Sequence, residues 1–93
     1  MTINEQVRLA LRIVSTAFDS EIANDIAACL IDLARVGIVE TQTTDPIIIR
    51  LCELYTKAAF NFEGEGDRYQ TAYEFMRDGI SLSGDYNGGV VSV

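Results

Sequence analysis

The densest group of acidic residues in this sequence is Glu63-Gly64-Glu65-Gly66-Asp67, and Glu74 stands at the twelfth position counted from Glu63. A calcium-binding loop places its bidentate glutamate at that position. The remaining positions do not fit such a loop, because the first should be Asp and the sixth should be a turn-making Gly but is Arg68. Glu74 also falls inside a predicted helix. We therefore interpret the segment as a solvated turn and predict no metal site.

Few side chains in this chain could carry catalysis. Histidine is absent from the sequence, which removes the commonest general base. Lys57 lies on an apolar helix, where a packed alkyl stem with its ammonium group at the surface explains it better than a catalytic amine does. The carboxylate pairs Asp19/Glu21 and Glu63/Glu65 fit helix-start and turn positions. We predict that the protein is not an enzyme and has no catalytic residues and no cofactor.

Charge and cysteine usage limit the possible partners. The 93 residues include 14 acidic and 7 basic side chains, a net charge of −7, and the basic residues are scattered. Binding to nucleic-acid phosphates needs clustered Lys and Arg, so this composition argues against it. No apolar run approaches the roughly 18 to 20 residues that span a bilayer, and the N-terminus does not resemble a secretion signal. We expect a cytoplasmic site of synthesis, with Cys29 and Cys52 as reduced core residues.

The element pattern predicts one all-α domain, a small bundle of about four helices, since a chain of this length forms a single core. Thr2 and Glu5 have the spacing of a capping box, which predicts a first helix over residues 3–14. Asp19 or Ser20 is expected to cap a second helix that runs to about residue 36.

Gly37 is expected to end the second helix in the left-handed conformation. The predicted buried stripe of this helix consists of Ile22, Ile26, Cys29, Leu30, Leu33 and Ala34. Its predicted water-facing residues are Asn24, Asp25, Asp32 and Arg35.

Asp45-Pro46 is a strong signal for a helix start, and it predicts a third helix over residues 46–60. That helix is apolar nearly all round, which indicates a central helix or one that a partner subunit also buries. Asp67 is expected to cap a fourth helix that runs to about Ile80, with Gln70, Glu74 and Arg77 off its apolar stripe.

Beyond Leu82 the composition changes to turn residues, followed by a short β-prone end at Val90–Val93. We therefore predict a helical domain over residues 1–82 and a flexible or extended C-terminal tail over residues 83–93.

Aromatic residues concentrate on the last two helices and the turn between them. They are Tyr55, Phe60, Phe62, Tyr69, Tyr73 and Phe75. This is more aromatic surface than one inward stripe of a four-helix domain needs. Ordinary core packing and a subunit interface both explain it, because Tyr and Phe are enriched at interface centres.

Three stretches, in this order, carry a resemblance to a known family. They are Asp45-Pro46, then Leu54-Tyr55-Thr56-Lys57-Ala58-Ala59-Phe60 with an acidic glycine turn, then Arg68-Tyr69-Gln70-x-x-Tyr73-Glu74 continuing to Leu82-Ser83-Gly84-Asp85-Tyr86. Together with the first two helices they make nearly the whole chain similar to small phage head-to-tail connector proteins, also described as adaptor, head completion or DNA-packaging proteins.

The resemblance implies a structural subunit of a phage or prophage that forms a ring of about twelve copies beneath the portal protein. Such a ring extends the DNA channel, lets DNA pass without specific binding and meets a tail-side connector or stopper protein. It implies a place in the virion, with assembly in the host cytoplasm. The residues expected at the subunit or portal interface are Tyr55, Phe60, Phe62, Tyr69, Tyr73, Asp85 and Tyr86. The sequence leaves one alternative open, a small acidic cytoplasmic adaptor or regulator that binds one protein partner.

Overall fold

The computed structural model describes residues 1–88 and contains four α-helices and one short 3₁₀ turn. The elements are α1 (Ile3–Ala10), α2 (Asp19–Arg35), α3 (Pro46–Ala59), the 3₁₀ turn (Phe62–Gly64) and α4 (Gly66–Ile80). No strand occurs within those 88 residues, so the predicted all-α bundle is confirmed. The predicted β-prone end at Val90–Val93 lies outside the described residues.

Helix α3 is the centre of the bundle, because it packs against each of the other three helices. Its start is the one predicted: Asp45 Oδ1 accepts the Ile47 N–H at 2.9 Å, and Pro46 occupies the first helical turn. The core around it is apolar apart from the thiols and the hydroxyls of Tyr73 and Thr56, which are both fully buried. Its hydrophobic members are Val7, Leu11, Ile22, Ile26, Cys29, Leu33, Ile38, Ile48, Leu51, Cys52 and Tyr73. Both cysteines are buried free thiols, as expected.

Helix α1 begins as predicted and ends four residues early. The Thr2 hydroxyl accepts the Glu5 N–H at 3.2 Å and the Glu5 carboxylate accepts the Thr2 N–H at 3.1 Å, which confirms the capping box. The predicted end at residue 14 is wrong, because Arg12 adopts the left-handed conformation with φ of 60°. The Ile13 N–H then bonds back to the Arg8 carbonyl at 3.1 Å, a Schellman termination formed without glycine.

Helix α2 ends as predicted and begins differently. Gly37 has φ of 89°, and the Ile38 N–H bonds to the Leu33 carbonyl at 2.9 Å, so the glycine stop is confirmed. Neither Asp19 nor Ser20 caps the helix, since Phe18 is the cap residue and makes no side-chain cap bond. Asp19 is instead the first helical residue, and its carboxylate lies 3.4 Å from Arg8 Nη1 of α1.

The connection between α3 and α4 is a tight left-handed turn. Asn61, Glu63 and Gly64 have φ of 49°, 54° and 72°. The Asn61 side-chain oxygen accepts the Gly66 N–H at 2.9 Å, and this bond satisfies an amide at the start of α4. Asp67 does not cap α4, because the helix begins one residue before it, and the predicted cap is wrong.

Candidate functional site

An open groove of about 490 Å³ lies between α2 and α4, with α3 as its floor. Its lining consists of Asp25, Asp32, Tyr55, Ala58, Ala59, Gln70, Tyr73, Glu74 and Arg77. On α3 the groove is lined by the small side chains of Ala58 and Ala59, which do not fill the space between α2 and α4. Three carboxylates face one guanidinium in this lining, so the groove is acidic.

A polar network ties the two walls of the groove together at Asp32. Its Oδ2 accepts the Tyr73 hydroxyl at 2.6 Å and the Arg77 Nη1 at 3.0 Å. Tyr73 is fully buried, and its oxygen also lies 3.9 Å from the Cys29 sulfur. Asp32, which was expected to face water, is partly buried, with its side chain 24% exposed and that of Arg77 17% exposed, and each supplies the other's charge partner.

The pKa values of Asp25 and Asp32 are shifted in opposite directions. Burial acts to raise the pKa of Asp32, but the hydrogen bonds from Tyr73 and Arg77 outweigh it and hold that pKa below its ordinary value. The pKa of Asp25 is raised, first by burial and then by the neighbouring charge of Glu21. Burial and the bond to Asp32 raise the pKa of Tyr73. Asp32 is thus a structural tie whose Oδ2 accepts two hydrogen bonds from α4.

The ammonium group of Lys57 lies over two neighbouring aromatic rings at the α3–α4 turn. Its Nζ is 5.2 Å from the centre of the Phe62 ring and 5.3 Å from that of Tyr69. The two rings are 6.0 Å apart. Cation–π attraction to both rings explains the position of the ammonium group. It also gives two of the clustered aromatic residues, Phe62 and Tyr69, a role within the subunit.

The start of the predicted tail lies against the α2–α3 loop. The Tyr86 hydroxyl donates to Asp45 Oδ2 at 2.7 Å, and the Tyr86 carbonyl accepts the Val39 N–H at 2.7 Å. Asp45 therefore holds both the start of α3 and the C-terminal segment. The hydrogen bond to Asp45 raises the pKa of Tyr86.

Large apolar side chains lie exposed on the outer sides of α2 and α4 and in the turn that follows α4. Phe75 is 84% exposed, Leu82 73% and Ile31 64%. Soluble domains normally leave such residues single and scattered, and grouped ones mark contact sites.

Within residues 1–88, no cluster of three or more potential metal ligands is present. The same part of the chain has no helix with the length and apolar character of a membrane span.

The comparison that decides the family is a match between residues 3–87 and the family model described as phage connector protein. The chain belongs to the phage connector protein family. No curated protein and no solved structure gives a significant match to it. Membership gives the chain a connector role in the phage particle, in association with other phage head or tail proteins.

Within this connector the residues expected at an interface occupy different environments. Tyr73 is fully buried, and Tyr55 packs edge-on against it with ring centres 5.2 Å apart. Phe60 packs edge-on against Phe18 at 6.2 Å. Asp85 is exposed. Phe62, Tyr69 and Tyr86 are partly buried in the contacts described above, and an interface role for all seven stays a prediction.

Sequence reasoning about the connector missed the Asp32–Arg77 tie and the exposed outer side of α4. The tie joins residues 45 positions apart, and no local pattern announces it. The exposed side did have a signal, because Phe75 lies off the predicted stripe of the fourth helix, which consists of Tyr69, Ala72, Tyr73, Met76 and Ile80. Ala72 is exposed, so its predicted place on the buried stripe is wrong.

Proposed function

We propose that the chain is a non-catalytic connector subunit that assembles as a ring of about twelve copies beneath the portal protein. In this role it extends the DNA channel and offers a surface to a tail-side connector or stopper protein. The mechanism is assembly and sealing, with no chemical step. Its place is the head–tail junction of the virion.

The observation that carries the proposal is the family match over residues 3–87. The exposed apolar residues Phe75, Leu82 and Ile31 support it, because exposed apolar side chains are candidates for contact with neighbouring subunits. The partly buried aromatic residues Phe62 and Tyr69 at the α3–α4 turn and Tyr86 at the C-terminal segment are candidates for the edges of such contacts.

The mass of the assembled protein tests this proposal. We expect a large ring in negative-stain images and in light scattering, either for the protein alone or after mixing with its portal protein, and we expect the chain in purified virions. A subunit that stays monomeric or dimeric both alone and with the portal protein, and that is absent from virions, contradicts the proposal and favours the acidic adaptor. Testing with the portal is necessary, because ring subunits can remain monomeric until they meet it.

The net charge of −7 predicts that the channel of the ring does not bind DNA. A ring of such subunits repels DNA phosphates, which prevents the genome from adhering during passage. We expect assembled rings to retain no duplex DNA on a filter at low ionic strength. Tight retention with a steep salt dependence contradicts this role, since it indicates phosphate neutralisation by clustered basic residues.

A further inference from the structure

Two carboxylates of the groove between α2 and α4 have no cation in their own subunit. Asp25 lies on the α2 wall and Glu74 on the α4 wall, and within residues 1–88 neither side chain forms an ion pair or a hydrogen bond. The Arg77 guanidinium is in the same lining, but it already binds Asp32 at 3.0 Å and Asp78 at 2.9 Å. The groove therefore holds two negative charges that the subunit does not neutralise.

The surroundings of Asp25 increase this imbalance of charge. Helix α2 carries four acidic residues and one basic residue, and α4 carries three acidic and two basic, so both walls are net acidic. Burial and the neighbouring Glu21 raise the pKa of Asp25, and no nearby cation offsets them. The basic residue of α2 is Arg35, and its charge acts on Asp32, whose pKa it helps to lower.

Arg12 is a basic residue without a partner in its own subunit. It is exposed, and its side chain forms no ion pair, hydrogen bond or ring contact within residues 1–88. Most of the other basic residues are engaged inside the subunit. They are Arg8 with Asp19, Arg50 with Glu53, Lys57 with the Phe62 and Tyr69 rings, Arg68 with Glu65, and Arg77 with Asp32 and Asp78.

The connection between α1 and α2 presents Arg12 without competing charges. Residues 11–18 contain no acidic residue, and the nearby Val14 is 88% exposed. Arg12 has φ of 60°, a conformation that costs free energy for any residue other than glycine. Such strain clusters at functional sites, and no side-chain bond of Arg12 within the subunit explains it.

The groove has the groups that bind a guanidinium. The carboxylates of Asp25 and Glu74 can accept its N–H donors from both walls. The Tyr55 hydroxyl lies in the same lining and has no hydrogen-bond partner within residues 1–88. Ala58 and Ala59 give the apolar surface on which the alkyl stem of an arginine packs. The groove is thus complementary to an arginine side chain in charge, hydrogen bonding and polarity.

We propose that Arg12 of one copy enters the groove of the next copy and pairs there with Asp25 and Glu74. This inference rests on the proposed ring and identifies a contact that joins its neighbours. A second copy is the occupant because each copy offers one unpaired Arg12 and one groove that lacks a cation. The two lie on different surfaces, since α1 packs against α2 and α3 whereas the groove lies between α2 and α4. The contact is therefore head-to-tail, and its repetition closes a ring when the rotation per subunit allows it.

Two substitutions that preserve the fold test the contact, Arg12→Gly and Asp25→Ala. Each is expected to raise the dissociation constant of assembly about tenfold, measured by mass photometry for the protein alone and on the portal protein. Glycine suits the left-handed φ of residue 12, so Arg12→Gly is expected to unfold in urea no earlier than wild type. General repulsion between acidic copies predicts the opposite result for Asp25→Ala, because that substitution lowers the net negative charge.

Two matched controls remove the same charges elsewhere. Arg50→Ala on α3 and Glu40→Ala in the α2–α3 loop change exposed side chains outside the groove lining and the α1–α2 connection. Both are expected to assemble as wild type does. Circular dichroism checks that all four variants fold.

A charge exchange tests whether the two groups meet. Arg12→Asp and Asp25→Arg are each expected to weaken assembly, and the two changes in one chain are expected to restore it. An equimolar mixture of the two single variants is also expected to assemble, because each copy then offers the charge that the other lacks. Failure of both restorations overturns the pairing.

The remaining outcomes separate this contact from the ring. Wild-type protein that assembles, together with Arg12→Gly and Asp25→Ala variants of unchanged affinity, contradicts only the contact. Asp25→Ala protein that self-assembles normally but binds the portal protein more weakly assigns the groove to a basic side chain of the portal and overturns the second copy as occupant. Wild-type protein that fails to assemble alone and on the portal contradicts the ring itself.

Discussion

Replacement of Gly66 by alanine is expected to lower the free energy of unfolding by about 2 to 3 kcal/mol. A Cβ at this position would lie 2.8 Å from the Asn61 side-chain oxygen and 3.1 Å from the Ala58 backbone oxygen. Asn61 cannot withdraw cheaply, because its oxygen accepts the Gly66 N–H at 2.9 Å and its own backbone is left-handed with φ of 49°. The clash therefore separates the start of α4 from the end of α3.

Gly79→Ala is the matched control on the same helix. Gly79 has helical geometry and open space around it, so alanine is expected to raise the free energy of unfolding by about 0.5 to 1 kcal/mol. Urea unfolding of both variants, followed by circular dichroism at a concentration where the chain is monomeric, measures the difference. Equal stability of Gly66→Ala and wild type would show that the turn relaxes freely and that the close approach is not a constraint.

The elements that sequence predicted correctly have their causes within a few residues. The capping bonds of Thr2 and Glu5, the Asp45-Pro46 helix start and the Gly37 stop each involve partners two to five residues apart. A local sequence pattern contains both members of such a pair, so it predicts the bond and the helix end together.

The errors arose where a residue's conformation depends on distant packing or carries strain. Arg12 ends α1 in a left-handed conformation that Gly normally adopts, and nothing in its side chain indicates this. Asp32 is charged and lies off the predicted buried stripe of α2, so the hydrophobic periodicity of that helix predicts that it is exposed to solvent. Its actual environment is set by Tyr73 and Arg77, 41 and 45 residues further along the chain.

Of the nine residues that line the groove, only Tyr55 and Tyr73 are among the residues predicted for an interface. The aromatic residues singled out by type do cluster, as in the Tyr55–Tyr73 and Phe62–Tyr69 pairs. Their division between core and surface could not be predicted, because it depends on how α4 is rotated against α3. Tyr73 of α4 also bonds to Asp32 of α2, 41 residues earlier in the chain, and a local sequence pattern contains only one partner of that bond.

Asp32→Ala is expected to lower the free energy of unfolding at neutral pH by about 2 to 3 kcal/mol. The substitution leaves the fully buried Tyr73 hydroxyl without its acceptor and removes one charge partner of Arg77. Alanine is a better helix former than aspartate, so the loss is measured against a small opposing gain. Asp25→Ala is the control, since Asp25 lies two turns earlier on the same groove wall. It is expected to be neutral or stabilising, because the pKa of Asp25 is raised and its charged form is disfavoured in the folded state.

The pH dependence of unfolding separates the two carboxylates further. The lowered pKa of Asp32 means that its ionised form stabilises the fold above the unfolded-state pKa of about 4, and that this contribution is lost as the pH falls through the lower folded-state pKa. Asp25 has the opposite sign, because its raised pKa makes the folded state bind the proton more tightly, so its contribution grows as the pH falls. As the pH is lowered from about 6 to about 2, the urea midpoint of unfolding should therefore fall less steeply for Asp32→Ala than for wild type. For Asp25→Ala it should fall more steeply than for wild type. The same acid dependence in the two variants would contradict a tie at Asp32, since the hydrogen bonds from Tyr73 and Arg77 are the largest influences that lower the pKa of Asp32.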